Sequence, residues 1–286
     1  MKQQLSKLQS LCSVPLALNF FGHNCIAWLS PQDLDSAEFI FRHHIGTYAA
    51  EMKTHVLLYA EGGFFRSLFA KDLRLKTVIG IPTDGTDPVF HHNFRGWSGV
   101  PSVLPPFFTK DLKDRFTVAS GSVLSLPGQN KGWILQGKNY SGKSSLAMAL
   151  CQRGFGLVSD HLVIQDRNTN WCAGYRSPIG LRHHNYAAFK SRENIDKITF
   201  RETVSEVTGP VALVHVEDLL LCPAPPQMCD PVLSIEIQRA PTSTHTKLSA
   251  NLHDRPGPFT PRTMTLTVPE TVTPDVIADF LVQEYL

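Results

Sequence analysis

The chain has no long apolar run, no marked excess of either charge and no paired-cysteine spacing. Each lack removes a class of protein. No stretch approaches the roughly 18 apolar residues that span a bilayer, so no membrane partner is expected. A net charge of +2 leaves no electrostatic footprint for nucleic acid or an anionic lipid surface. The six cysteines, Cys12, Cys25, Cys151, Cys172, Cys222 and Cys229, show neither C-x-x-C nor finger spacing. They read as reduced thiols of a cytoplasmic protein, four of them in apolar surroundings that suggest core. The start MKQQ is basic, but polar residues interrupt the apolar run that follows, so a signal peptide is not expected. No internal repeat or low-complexity tract is present. Twelve histidines include the pairs His43-His44, His91-His92 and His183-His184. Neighbours on a strand face opposite ways, and no H-E-x-x-H or Cys/His spacing exists, so a zinc site is not expected either.

What is present is ordinary globular composition, 42% hydrophobic and 18% charged over 286 residues. That length suits one large or two modest domains. Residues 15–30 look like buried strand material. Asp33 to Ile45 reads as a helix with Leu34, Ala37, Phe41 and Ile45 on one side. VLLYA (56–60) and TVIGI (77–81) are strand candidates. The Pro- and Gly-rich stretch from Pro82 to Pro106 reads as loops that would form a wall or lid. FTVASGSVLSL (116–126) and GWILQG (132–137) read as two strands joined by a turn at PGQNKG. A helix follows from Lys143 to about Arg153, closed by Gly154, and then the strand FGLVSD (155–160). LVIQD, VALVHV, VLSIEI and TMTLTV are later strands. Thr273-Pro274-Asp275 opens a last helix with Ile277, Phe280, Leu281 and Leu286 as its apolar stripe. Trp133 and Phe155 read as core.

The stretch GKNYSGKSS, residues 137–145, fits G-x-x-x-x-G-K-[ST] at Gly137, Gly142, Lys143 and Ser144. Chance produces this pattern in roughly one chain in a hundred of this length. Strand before and helix after are the context the motif requires. Loop residues Gly137, Asn139, Tyr140, Ser141, Gly142, Lys143, Ser144 and Ser145 would wrap a polyphosphate with backbone N–H groups at a helix N-terminus. Lys143 would reach the terminal phosphates and Ser144 a magnesium ion. The neighbours narrow the class. A GTPase should carry Asn-Lys-x-Asp after the loop, and the partial echo NKGW at 130 precedes it. Asp160 comes 17 residues past Lys143, at the end of the next strand. It would sit outside the carboxyl end of a strand adjacent to the loop, placed to hold magnesium or accept a proton. VALVHVED offers Glu217 and Asp218 as alternatives for that work.

GWILQGKNYSGKSSLAMALCQRGFGLVSDHLVI resembles the core of the HPr kinase/phosphorylase family and its smaller relatives, among them kinases beside lasso-peptide and other modified-peptide genes. The shared pattern is an apolar strand, G-x-S-G-x-G-K-S, a short helix ending R-G, then L-V-x-D-D-x-V. Here Arg153-Gly154 and Leu157-Val158-Ser159-Asp160-His161-Leu162-Val163 follow the loop. YRSPIGLR (175–182) resembles the family's downstream segment, where basic residues face the transferred phosphate. The likeness spans about 50 residues and leaves residues 1–115 unplaced. It implies ATP and magnesium as cofactors, Asp160 as base, and Arg176 or Arg182 stabilising charge in the transition state. His183 and His184 are further candidates for touching substrate. Two departures stand out. His161 replaces the family's second Asp, and Ser120 stands where the family has a His before the loop, which puts reverse phosphorolysis in doubt.

The expectation is therefore an α/β protein in two parts. Residues 1–112 form an N-terminal α/β portion of unassigned role, and 113–286 a P-loop domain with an HPr-kinase/PEP-carboxykinase-like mixed sheet. Its activity would be phosphoryl transfer from ATP to a hydroxyl of a peptide, protein or small molecule. A regulatory nucleotide-binding module and a partner-coupled ATPase are the alternatives, and a homo-oligomer stays open.

Overall fold

The computed structural model describes residues 10–47, 54–60, 75–82, 89–91, 110–205, 208–220, 222–241, 248–253 and 261–286. The loops expected between Pro82 and Pro106 lie almost wholly outside them. The chain divides into two compact units: Met1–Asp114 with Ser177–His215, and Arg115–Arg176 with Val216–Leu286.

In the first unit, β1 (Val14–Phe20) and β2 (His23–Leu29) form an antiparallel hairpin around Phe21-Gly22. Strict alternation explains the pair: His23, Cys25, Ala27 and Leu29 are buried, and the residues between them are half-buried. Strands β3 (Thr54–Ala60), β4 (Leu75–Pro82) and β5 (Val89–His91) extend the sheet in the order β1-β2-β3-β4-β5. The expected helix from Asp33 is shorter than the sequence suggests. α1 spans Leu34–Ile40, and a 3₁₀ turn at Arg42–His44 takes over before Ile45. Phe41 leaves the helix with its ring buried 6.1 Å from that of Phe20.

A three-stranded sheet of β12 (Ile179–Arg182), β13 (Phe200–Ser205) and β14 (Gly209–Val214), in the order β12-β14-β13, belongs to the same unit. The reason lies in contacts between segments far apart in the sequence. His215 Nε2 meets the carbonyl of Phe39 at 2.7 Å, and Arg201 forks onto Asp35 at 2.9 Å. The expected strand VALVHV stops at Val214, because Val216–Leu219 turns into a short helix.

The second unit is built on a mixed nine-stranded sheet. Its strands are β6 (Phe116–Ser120), β7 (Ser122–Ser125), β8 (Lys131–Gly137), β9 (Gly156–Ser159), β10 (Leu162–Asp166), β11 (Cys172–Ala173), β15 (Met228–Ala240), β16 (Ser249–His253) and β17 (Arg262–Pro269). The main path is β6-β10-β11-β15-β8-β7-β9, with β17 parallel to β15 and β16 on β17. The stretch 116–126, read as one strand, is two. The chain turns at Gly121, β6 pairs β10, and β7 inserts between β8 and β9.

The short helix α2 (Lys110–Arg115) precedes β6, and β8 leads through the glycine loop into helix α3 (Lys143–Cys151) and on to β9. The sheet core joins Val123, Ile134, Val158, Val163, Cys172 and Cys229. Trp133 and Phe155 are 1% and 0% exposed with ring centroids 5.0 Å apart, as a core reading requires. The last helix, Pro274–Tyr285, packs on α3. Its buried residues are Ile277, Ala278 and Leu281, while Leu286 is exposed. Arg153 fastens the two helices by donating to Asp279 at 2.7 Å and Asp275 at 3.2 Å. The class is α/β with a mixed-sheet core, as the sequence predicts.

Candidate phosphate-loop site

The loop between β8 and α3 depends on two glycines. Gly137 has φ +140, and a Cβ there would stand 2.6 Å from the Ile237 carbonyl oxygen and 2.8 Å from Ser141 Oγ. Gly142 caps the helix with φ +95, a conformation L side chains rarely adopt. The first N–H groups of α3 have no intrahelical acceptor, and the positive end of the helix lies at the same point. Asn139 and Tyr140 are exposed at the loop's crest, Tyr140 at 69% with φ +66. Ser141 lies beneath it, 5% exposed, and its hydroxyl oxygen has no hydrogen-bond partner among the described residues. Ser145 is half-buried on the first turn of α3.

Lys143 curls back over this loop. Its Nζ donates to the carbonyls of Gly137 at 2.9 Å and Lys138 at 2.8 Å. Burial lowers the Lys143 pKa, and the nearby Asp160 carboxylate works in the opposite direction.

Asp160 follows β9 and is 1% exposed. In the sheet β9 is not adjacent to β8, because β7 lies between them. β7 is antiparallel to both, so β8 and β9 still end on the same edge, and Asp160 reaches the loop from there. Ser144 Oγ lies 3.0 and 3.2 Å from the two carboxylate oxygens. Ser122 Oγ donates to Oδ1 at 2.5 Å, and His161 Nε2 stands 3.3 Å from Oδ2. His161 holds φ +70, an unusual state for a non-glycine residue, and its side chain is 32% exposed.

The structure thus brings together Gly137, Ser141, Gly142, Lys143, Ser144 and Asp160. Ser120 is not part of that group. It is exposed on β6 opposite Leu162, and of the two serines flanking Gly121 it is the fully buried Ser122 that meets Asp160. Alternation would put Ser120 and Ser122 on one face of a single strand; they differ because the chain turns at Gly121 and the two belong to different strands with different partners. Arg176 Nη2 pairs with Glu217 at 3.2 Å, so its charge already has a counterion. Asp218 is half-buried on the short helix beside Glu217. Arg182 ends β12 in the first unit, where His183 and His184 begin the helix His183–Lys190 and are exposed. Arg239, which the sequence reading passed over, donates from β15 to the Ser141 carbonyl at 3.1 Å.

All six cysteines are free thiols, five of them buried. Burial pushes Cys25 and Cys229 up to about 12, the behaviour of inert core thiols. Among the described residues, no helix is long and apolar enough to cross a membrane.

No protein-family model and no curated protein matches the chain. Among solved structures, an HPr(Ser) kinase/phosphatase from Coxiella burnetii matches at 16% identity with a TM-score of 0.34. The match covers 58% of this chain and 95% of that one. A likeness of that size decides nothing about chemistry, which has to come from the loop itself.

Proposed function

We propose that this chain is an ATP- and magnesium-dependent phosphotransferase that moves the terminal phosphoryl group onto a hydroxyl of a peptide, protein or small molecule. The observation that carries the proposal is the meeting of Ser144 and Asp160, at 3.0 Å, beside a cradle that a side chain at Gly137 would fill. A hydroxyl and a carboxylate at the head of a glycine loop suit a hard divalent cation with oxygen ligands. The N-terminus of α3, Lys143 and the Ser141 hydroxyl, unpartnered among the described residues, suit the polyphosphate it accompanies. Magnesium, when bound, would neutralise charge on the phosphates and fix their orientation.

The residues of the chain do the remaining work in this reading. Loop N–H groups hold the donor, and Lys143 exchanges the carbonyls of Gly137 and Lys138 for phosphate oxygens. Ser144 turns from Asp160 to the cation. Asp160 then orients the acceptor hydroxyl and takes its proton as the acceptor oxygen bonds phosphorus and the nucleoside diphosphate leaves. Arg176 assists if it exchanges Glu217 for the transferring group; Arg182 enters only through the resemblance. One observation favours a regulatory nucleotide-binding module instead: Asp160 is buried with both oxygens engaged.

The experiment separates the two. Labelled ATP is incubated with the protein and with extracts or candidate peptides from its own source. Transfer predicts label on a hydroxyl of one component, and Asp160→Asn should lower it about 100- to 10,000-fold while ATP still binds. Tight ATP binding with no labelled product under broad screening would replace the enzyme reading with the regulatory one.

A further inference from the structure

We propose that Arg239 is a second cation for the donor's phosphates, supplied by β15 beside Lys143. The inference rests on the nucleotide reading above and names a residue outside the loop motif. β8 ends at Gly137, which pairs with Ile237, whereas β15 continues to Ala240. Arg239 therefore stands past the end of β8, on the loop's side of the sheet. Its Nε donates to the Ser141 carbonyl at 3.1 Å, and Nη1 to the carbonyls of Pro269 at 3.4 Å and Val272 at 3.3 Å. Three carbonyls hold the guanidinium in place; no ion pair involves it among the described residues, although the Glu270 carboxylate is near enough to favour its charge. Nη2 has no acceptor among those residues. It lies 2.9 Å from the point a Cβ on Gly142 would occupy, against the cap of α3.

An exposed arginine cation, a helix N-terminus, Lys143 and the buried Ser141 hydroxyl, which has no partner among the described residues, thus converge on one loop. Only an anion satisfies all four, and a phosphate group has the acceptor geometry an arginine fork matches. The carbonyl contacts preset the fork, so little rotamer freedom is lost when the anion arrives. Gly142 is needed on this account for two reasons, its φ and the room it leaves Arg239.

The test is calorimetric titration of the full chain with magnesium–ATP and with pyrophosphate at several salt concentrations. Arg239→Gln should weaken both about 10- to 100-fold, the range for hydrogen bonds to a charged group, and flatten the salt dependence. Arg239→Lys, which keeps the charge, should retain more affinity than Arg239→Gln. Equal losses in both variants with an unchanged salt slope would make Arg239 a strut for the loop and overturn the proposal. Wild-type affinity in Arg239→Gln would do the same while leaving the nucleotide reading intact. Failure of the wild type to bind either probe would sink that reading itself.

Discussion

Removing the Ser122 hydroxyl isolates the support of Asp160 from the loop motif. Ser122 is 0% exposed, and its hydroxyl donates to a carboxylate that is itself 1% exposed. Ser122→Ala leaves Oδ1 with only the longer contact to Ser144, at 3.2 Å. A hydrogen bond to a charged group contributes about 1.5–3 kcal/mol, and a buried acceptor left short of donors costs on the same scale. Ser122→Ala should therefore destabilise the protein by about 1–3 kcal/mol. Ser120→Ala is the internal control, two residues away and exposed on β6. It should change stability by less than about 0.5 kcal/mol. Urea unfolding followed by tryptophan fluorescence reads both, with Trp133 buried in the same unit as reporter. Equal costs at the two serines, or a neutral Ser122→Ala, would refute the placement of Ser122 under Asp160.

Two more predictions follow from the same unit. Gly137→Ala puts a methyl group 2.6 Å from the Ile237 backbone oxygen, so the loop must shift; ATP affinity should fall at least about tenfold by calorimetry, at a stability cost of about 1–3 kcal/mol. Asp166 is buried, which raises its pKa, but Arg115 at 2.8 Å and the N–H groups of Asn168 and Thr169 outweigh burial and hold it below the usual value. The fold thus favours the carboxylate, so its stabilisation is complete above the unfolded value near 3.9 and is lost as pH falls through the lower folded value. Melting curves from pH 6 to pH 2 should show a smaller acid-induced drop in Asp166→Asn than in wild type.

The glycine loop was legible because its signal is local: Gly137, Gly142, Lys143 and Ser144 act through backbone conformation and side chains within eight residues. The strands LVIQD, VLSIEI and TMTLTV were legible for a similar reason, as apolar runs bounded by turns. The break at Gly121 was not, because 116–126 keeps strand composition throughout and only pairing to β10 or β8 separates its halves. The order β8-β7-β9 is likewise a matter of long-range pairing, which period and composition do not encode. Ser122 was overshadowed by Ser120 for want of that order. Arg239 lies 98 positions from Ser141, and no motif connects them. The grouping of Ser177–His215 with the N-terminal residues depends on contacts such as Arg201 with Asp35, which are equally remote in sequence.

The central claim is that residues 137–145 hold a nucleotide's phosphates, and one measurement bears on it most directly. Magnesium–ATP is titrated calorimetrically into the wild-type chain and into Lys143→Ala, with circular dichroism confirming that both are folded. Among the described residues Lys143 donates only to carbonyls of its own loop, at 2.9 and 2.8 Å, so its removal should leave the fold intact. The account predicts saturable binding by the wild type and a loss of at least about tenfold in Lys143→Ala, the scale of a charge-assisted contact. Equal affinity in the two proteins, or no binding by either, would contradict it.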